Sequence, residues 1–379
     1  MTIKYPVYKP FLSGNEKKYV NECLDSSWIS SQGEFIERFE TGFANYLGVN
    51  YARSCSNGTT ALHLALLALQ LKPGDEVILP SLTYVASANA VSYIGATPVF
   101  VDSESTFFQL DPDQVEALIT PQTKAIMAVH LYGHAVNMEK LLKICKKHGL
   151  HLIEDCAEAI GTQFQQQYVG TFGDIATFSF FGNKTITTGE GGMVVTNNPE
   201  LAERVSHYKG QGLAKNHRYF HDVIGYNYRM TNICCAIGLA QLENIDIILQ
   251  KKLNIANWYK QFIDGSKMRF HEQQENTVHS YWLVSILAKN GEERDQLMNY
   301  LLLHGIDSRP FFVPMHHLPI YEQSIQLPVA EELSACGINL PSYPELEEED
   351  VRYISLKINE WLNLREYTQR PDCLVEISA

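Results

Sequence analysis

The sequence predicts an α/β fold: a mainly parallel, seven-stranded sheet flanked by helices, followed by a smaller C-terminal α+β domain. Two patterns carry this expectation. From residue 50 to about 200, short β-rich runs alternate with helix-periodic segments, the signature of parallel strands joined by crossover helices. After about residue 245 that alternation stops and longer helical periods take over. With 379 residues and 45% apolar content, the chain has material for one large core and a smaller one, and it is too apolar for a disordered polymer. The expected boundaries are 1–245 for a large domain that includes the N-terminal segment, 246–365 for the small domain and 366–379 for a loose tail.

The seven strands are expected to begin near Ala52, Glu76, Pro98, Ala125, His151, Ile175 and Gly192. TTALHLALLAL, from Thr59, is apolar almost all round, so its helix should be buried on more than one side, with His63 a core histidine rather than a ligand. Met138, Leu141, Leu142 and Cys145 fall at helical spacing with Gly149 as a stop, predicting a surface helix that packs one face on the sheet. Beyond 245 the pattern reads as a helix over 249–262, a strand over 279–287 and a helix over 293–304. A final helix over 347–362 places Val351, Ile354, Ile358, Trp361 and Leu362 on one docking face. The closing LREYTQRPDCLVEISA loses this period and contains a proline.

The net charge of −13 disfavours nucleic acid and anionic membrane surfaces as partners, because the field of the whole molecule repels polyanions. An anionic ligand therefore needs local positive groups. The eight cysteines show no CxxC spacing, the N-terminus has no apolar signal core, and no eighteen apolar residues run together. Together these predict a reduced, cytoplasmic protein that is neither exported nor membrane-spanning.

Four features fall at the carboxyl edge of the expected sheet, the edge that open α/β sheets use for ligands. SNGTTAL, residues 56–62, puts an Asn-Gly turn and two threonines at a helix start, where free amides and the helix dipole bind phosphate. The same text also reads as a plain N-capped helix. HLIEDCAEA, 151–159, ends a strand in Glu154 and Asp155; Asp155 either caps a helix or pairs with a protonated ring nitrogen, raising that nitrogen's pKa by roughly 1 to 3 units. Ser179 and Lys184 lie on a strand end and a glycine-rich turn, and lysine is the side chain that bonds a carbonyl cofactor and then serves as a base. Tyr84, just after a strand end in PSLTYVASANAV, is open to two readings, stacking on a flat cofactor or ordinary helix packing. A phosphate cup, an aromatic lid, an acid for a pyridine nitrogen and a lysine for an aldehyde describe pyridoxal 5′-phosphate.

Over about residues 7–362 the text resembles the DegT/DnrJ/StrS family of sugar aminotransferases. The matching runs include WISSQGEFIERFE (28–40), NGTTALHLAL (57–66), PSLTYVASAN (80–89), SFFGNKTITTGEGGMV (179–194) and GYNYRMTN (225–232). The resemblance implies the PLP-dependent transferase fold type I, and a homodimer with its active site at the subunit interface. It also implies that Lys184 bonds the cofactor and Asp155 faces its ring nitrogen, with Tyr84 stacking on the ring. Gly58, Thr59 and Ser179 would hold its phosphate, joined by Asn227 of the neighbouring subunit, and Glu158 would lie near its phenolic oxygen. Members with histidine at the lysine position are dehydratases; this chain has Lys184, which favours transamination.

By the same resemblance L-glutamate donates the amino group, and the TTGEGGM form of the lysine motif points to carbon 4 of a 4-keto-6-deoxy sugar. GDP-4-keto-6-deoxy-D-mannose is the preferred acceptor, giving GDP-perosamine for a surface polysaccharide such as O-antigen. A dTDP- or UDP-linked 4-keto-6-deoxyglucose stands as the alternative. A nucleotide diphosphate entering a negative protein needs cations, and Lys215, His217, Arg218 and Arg229 lie within fifteen residues; Arg218 is the favoured forked donor across the dimer, against a solvated basic loop. RPFFVPMHH, 309–317, is a second candidate lining that includes His317. His316 and His317 are adjacent without further ligands at metal spacing, so no metal site is expected.

Overall fold

The computed structural model describes residues 2–215, 217 and 219–368. Arg218 lies outside the described residues, as does almost all of the expected tail. The central sheet comprises β1 (Tyr51–Cys55), β2 (Glu76–Pro80), β3 (Thr97–Val101), β4 (Thr123–Val129), β5 (His151–Asp155), β6 (Ile175–Ser179) and β7 (Gly192–Thr196), in spatial order β1-β7-β6-β5-β4-β2-β3. β7 is antiparallel to both neighbours, and the other pairings are parallel. The carboxyl ends of β1, β2, β4, β5 and β6 consequently share one edge, where β7 starts. Register fixes the rungs: Gly192 sits opposite both Cys55 and Ser179, and Asp155 lies between Val129 and Thr177.

Both sheet faces are covered. On one, Phe35, Phe39 and Phe43 of the helix Glu34–Leu47 recur at i, i+4 and i+8, with Phe35 against Tyr19 and the other two against Phe178 and Phe180; Phe43 and Phe178 stand edge to face with centroids 5.0 Å apart. Burying each such ring contributes about 1.5–3 kcal/mol. The other face is packed by the helix Gly58–Ala68, whose Leu62, His63, Leu64, Ala65 and Leu66 are all buried. His63 is a core residue with Nδ1 3.3 Å from the Tyr228 hydroxyl. The helix Met138–His148 buries Met138, Leu141 and Cys145, whereas Leu142 faces out.

A second sheet is built from β8 (Arg269–Phe270), β9 (Val284–Leu287), β10 (Arg309–Pro310) and β11 (Gly337–Leu340), in order β8-β9-β11-β10. The helices Ile245–Phe262, Gly291–Leu303 and Glu348–Thr368 accompany it. The strand expected over 279–287 forms only from Val284, because Tyr281 takes a left-handed φ of 48°, which an extended strand does not tolerate. The last helix continues to Thr368, past the point where its apolar period fades. Tyr5 bridges Ile306 and belongs to the core of this part of the chain. Among the described residues no single helix is long and apolar enough to cross a membrane, and the seven described cysteines are free thiols.

Three buried histidines join the two sheets. The His279 ring nitrogens lie 3.4 Å from His271 Nδ1 and 3.0 Å from the Tyr281 amide, His271 Nε2 donates to the Phe107 carbonyl, and His134 accepts from the Gln274 amide. Burial lowers all three pKa values, that of His134 to about 4 and the other two well below the ordinary value. A depressed folded pKa means that the unfolded chain binds more protons, so their contribution is complete above about pH 6.5 and is lost as pH falls. For His134 the window runs down to about 4, a loss of about 3 kcal/mol. The urea midpoint should therefore drop between pH 7.5 and 5, and His134→Asn should flatten that slope; a midpoint with the same pH dependence in both proteins contradicts the assignment.

Candidate active site

The shared strand edge opens into a cavity of about 510 Å³, and Gly58, Thr59, Tyr84, Asp155, Glu158, Ser179 and Lys184 all line it. These seven come from four separate stretches of sequence, and the parallel sheet is what gathers them. Between β1 and the helix Gly58–Ala68, Asn57 caps the helix: its Oδ1 accepts from the Thr60 amide at 2.9 Å, while Thr60 Oγ1 accepts from the Asn57 amide at 3.1 Å. The cap leaves the amides of Gly58 and Thr59, the first two of the helix, without intrahelical acceptors, as at any helix start. A Cβ on Gly58 would stand 2.7 Å from the Ser179 Cβ, and one on Gly192 would stand 2.4 Å from the Asn57 carbonyl oxygen. Only glycine at both positions lets the helix start, β6 and β7 close on one another. The resulting cup of two amides and the Thr59 and Ser179 hydroxyls suits a phosphate dianion.

Lys184 is held by a tight turn. Its amide donates to the Phe181 carbonyl, Phe180 pairs with Gly191 and Thr188, and the Tyr8 hydroxyl donates to the Lys184 carbonyl at 2.8 Å. Its Nζ lies 3.7 Å from Glu158 Oε1 and 4.2 Å from the centre of the Trp282 ring. Burial lowers the pKa of this amine, against the raising effect of Glu158 and Asp155. Burial likewise pushes Glu158 up to about 7, with Lys184 and the Tyr132 amide holding it down in part. Burial thus moves the amine down and the carboxyl up, narrowing the gap between two groups 3.7 Å apart.

Asp155 is buried at the end of β5, where Oδ2 accepts from the Ser87 hydroxyl at 2.7 Å and Oδ1 from the Ala157 amide at 3.1 Å. Burial raises its pKa, while Ser87, Ala157 and Lys184 lower it. The helix-cap reading of Asp155 fails, because the chain after β5 forms turns rather than a helix; the carboxylate braces the first of them through the Ala157 amide and lines the cavity. Asn183 carries a buried side-chain oxygen without a hydrogen-bond partner beside Lys184. Amide cup, carboxylate, lysine and orphaned amide oxygen fit pyridoxal 5′-phosphate in charge and donor set.

Arg309 and Phe312, from the run 309–317 offered as a second lining, do line the cavity, whereas sequence reasoning missed Trp282, Ser87, Asn183 and Asn339, which line it too. Trp282 Nε1 donates to the Asn183 carbonyl, and its backbone is fixed by Lys252, a fully buried lysine whose Nζ donates to the carbonyls of Trp282 at 3.0 Å and Ser342 at 2.9 Å. Burial lowers the Lys252 pKa to about 7. Lys184 and Arg309 are the cations on a lining that also carries Asp155, Glu158 and Glu190. Tyr84 lies at the mouth, mostly exposed, with its ring 5.6 Å from that of Phe312.

The remaining expected residues lie elsewhere on the single chain. Asn227 and Arg229 are exposed on the segment that bridges Gly210 and Cys55, and Arg229 donates to Asn227 at 3.4 Å. Lys215 is paired with Glu203 at 2.7 Å, and the His217 ring lies against Phe220. His317 faces Glu331 at 3.8 Å rather than the cavity, and His316 Nε2 lies 3.1 Å from the same carboxylate oxygen. The expectation that this pair lacks a further ligand fails, because the fold brings Glu331 in from the helix Pro328–Cys336.

The model of the DegT/DnrJ/EryC1/StrS aminotransferase family matches residues 10–359. The GDP-perosamine synthase of Escherichia coli O157:H7 is 56% identical over 361 residues, covering 95% of this chain and 99% of the relative. That of Vibrio cholerae is 50% identical over 94% and 99%. Among solved structures, the PLP-form of a sugar aminotransferase from Streptococcus pneumoniae superimposes with a TM-score of 0.90 at 27% identity, covering 95% of this chain and 98% of that one. With a cavity whose lysine, carboxylate and amide cup suit the chemistry in that description, the chain belongs to the DegT/DnrJ/EryC1/StrS aminotransferase family.

Proposed function

We propose that the protein transfers the amino group of L-glutamate to carbon 4 of GDP-4-keto-6-deoxy-D-mannose, giving GDP-perosamine, and works as a homodimer with pyridoxal 5′-phosphate. The observation that carries the substrate is the identity of 50–56% to proteins named GDP-perosamine synthase across nearly the whole of both chains. When bound, the cofactor supplies an aldehyde carbon that carries the amino group and a ring that withdraws electrons from it. The protein does the rest. The amides of Gly58 and Thr59 and the Ser179 hydroxyl anchor the phosphate, Asp155 keeps the ring nitrogen protonated, and Lys184, freed from its bond, moves a proton in each half-reaction with Glu158 adjusting its charge.

Arg309 on the cavity lining suits the carboxylate or diphosphate of an incoming substrate. The loop from Leu213 to Ile224 exposes Leu213, Tyr219, Phe220 and Ile224, the last at 87%, and such a patch beside Asn227 supports a second copy seated there. Sedimentation at twice the chain mass would check this. The decisive assay offers GDP-, dTDP- and UDP-linked 4-keto-6-deoxy sugars with glutamate. The GDP sugar should be turned over at least about 100-fold more efficiently, since a site built to hydrogen-bond one base rejects another strongly, with one 2-oxoglutarate released per sugar aminated. Equal use of the dTDP or UDP sugar would remove the GDP assignment and leave the aminotransferase.

A further inference from the structure

We propose that His316, His317 and Glu331 form a binding site for a divalent transition-metal ion of the zinc class, outside the active-site cavity. The three ligand atoms lie within 4.8 Å of one another. Glu331 Oε1 stands 3.1 Å from His316 Nε2 and 3.8 Å from His317 Nε2. A tetrahedral ion bonded at about 2.0–2.1 Å holds its ligand atoms about 3.4 Å apart, and the two distances bracket that value. Two imidazoles and one carboxylate suit zinc and its neighbours better than calcium or magnesium, which take oxygen ligands.

The site is braced from behind. His316 is fully buried, and its Nδ1 lies 2.7 Å from the Ser81 hydroxyl at the end of β2. A hydroxyl both donates and accepts. Without metal, Ser81 donates to Nδ1 while Nε2–H donates to Glu331. With metal, the hydroxyl rotates to accept from Nδ1–H, and Nε2 offers its lone pair to the ion without any movement of the ring. Such an outer partner fixes ring and tautomer in metal centres. On the open side, His317 is half exposed and Glu331 about a third, which gives an entry path and room for water in the fourth position. Glu331 also accepts from the Leu327 amide at 3.1 Å, so its carboxylate is already oriented.

A second cluster, His130, Glu154 and Cys156, satisfies distance alone and is a poor competitor. Glu154 is saturated by the amides of Gly170, Phe172 and Gly173 together with His130, burial holds the Cys156 thiol protonated, and all three residues are inaccessible. At the proposed site, an ion would tie the 315–317 turn to the helix Pro328–Cys336. That turn follows Arg309 and Phe312, so the ion would stiffen one wall of the cavity.

The test uses PLP-loaded full-length protein stripped with a chelator and titrated with Zn²⁺ against a chromophoric indicator, with Co²⁺ as a spectroscopic probe. One equivalent of Zn²⁺ should bind, Tm should rise with it, and Co²⁺ should give the intense visible bands of a four-coordinate site. His317→Gln and Glu331→Gln, each checked for unchanged circular dichroism, should weaken binding at least about 100-fold and remove the bands. Wild-type binding that both folded variants retain, or no binding by the wild type, overturns the proposal.

Discussion

Lys184→Ala is expected to lower aminotransfer by at least about 10⁴-fold, combining the loss of general-base catalysis, typically 10²–10⁴-fold, with the loss of the covalent anchor. The purified variant should also lack the visible absorption that depends on a lysine–aldehyde bond. Among the described residues no other amine lines the cavity. The next buried one, Lys252, is committed to backbone carbonyls under Trp282. The fold should survive the change: Glu158 loses its partner at 3.7 Å, but with its pKa already pushed up to about 7 by burial it takes up a proton rather than standing as a bare buried charge. Melting temperature within a few degrees of wild type would verify that the loss is chemical. A folded variant that kept a tenth of wild-type activity would end the assignment of Lys184 as the reacting amine.

Legibility followed the range of the interactions that set each feature. Strand starts were readable from composition because each strand is a short β-rich run between turn residues, and the observed starts fall within two residues of the expected ones. Gly58, Thr59, Asp155, Ser179 and Lys184 were readable because each stands within a few residues of a strand end, and a parallel sheet places those ends side by side without further information. Trp282 was hidden for the opposite reason. It sits in a stretch with strand composition, and only the left-handed Tyr281, held between His279 and Lys252, turns the indole over Lys184.

Lys252 itself reads as one more charged residue on an exposed helix face, yet it is 1% exposed. Its three carbonyl acceptors come from residues 281, 282 and 342, and no local pattern encodes that meeting. Arg309 and Asn339 reach the cavity from paired positions on β10 and β11, and Glu331 reaches His316 across fifteen residues of chain. Such contacts are set by how the second sheet docks on the first. Asn227 and Arg229, expected to act across subunits, lie on an exposed segment beside the apolar loop and bond one another rather than the cavity of their own chain.

Asp155→Asn should cost about 10² to 10³-fold in kcat and leave the KM for glutamate nearly unchanged. The side chain keeps its size, and its remaining carbonyl oxygen can still accept from Ser87 or Ala157, which now bond Oδ2 and Oδ1, so the local turn persists. What disappears is the negative charge. A carboxylate beside a protonated ring nitrogen raises that nitrogen's pKa by roughly 1 to 3 units, and each unit is worth about 1.4 kcal/mol, or tenfold in the protonated population. Burial raises the pKa of this carboxyl, and Ser87, Ala157 and Lys184 oppose that rise by favouring its charged form. In the variant the ring nitrogen titrates unaided, so its active, protonated form grows as pH falls: the ratio of Asp155→Asn kcat to wild-type kcat should rise from pH 8 toward pH 6.5. The pH profile separates this electrostatic role from a structural one, since a merely loosened site would lose activity equally at both pH values. Wild-type kcat in the variant, or parallel pH profiles for the two proteins, would show that the carboxylate at the end of β5 does not face the ring.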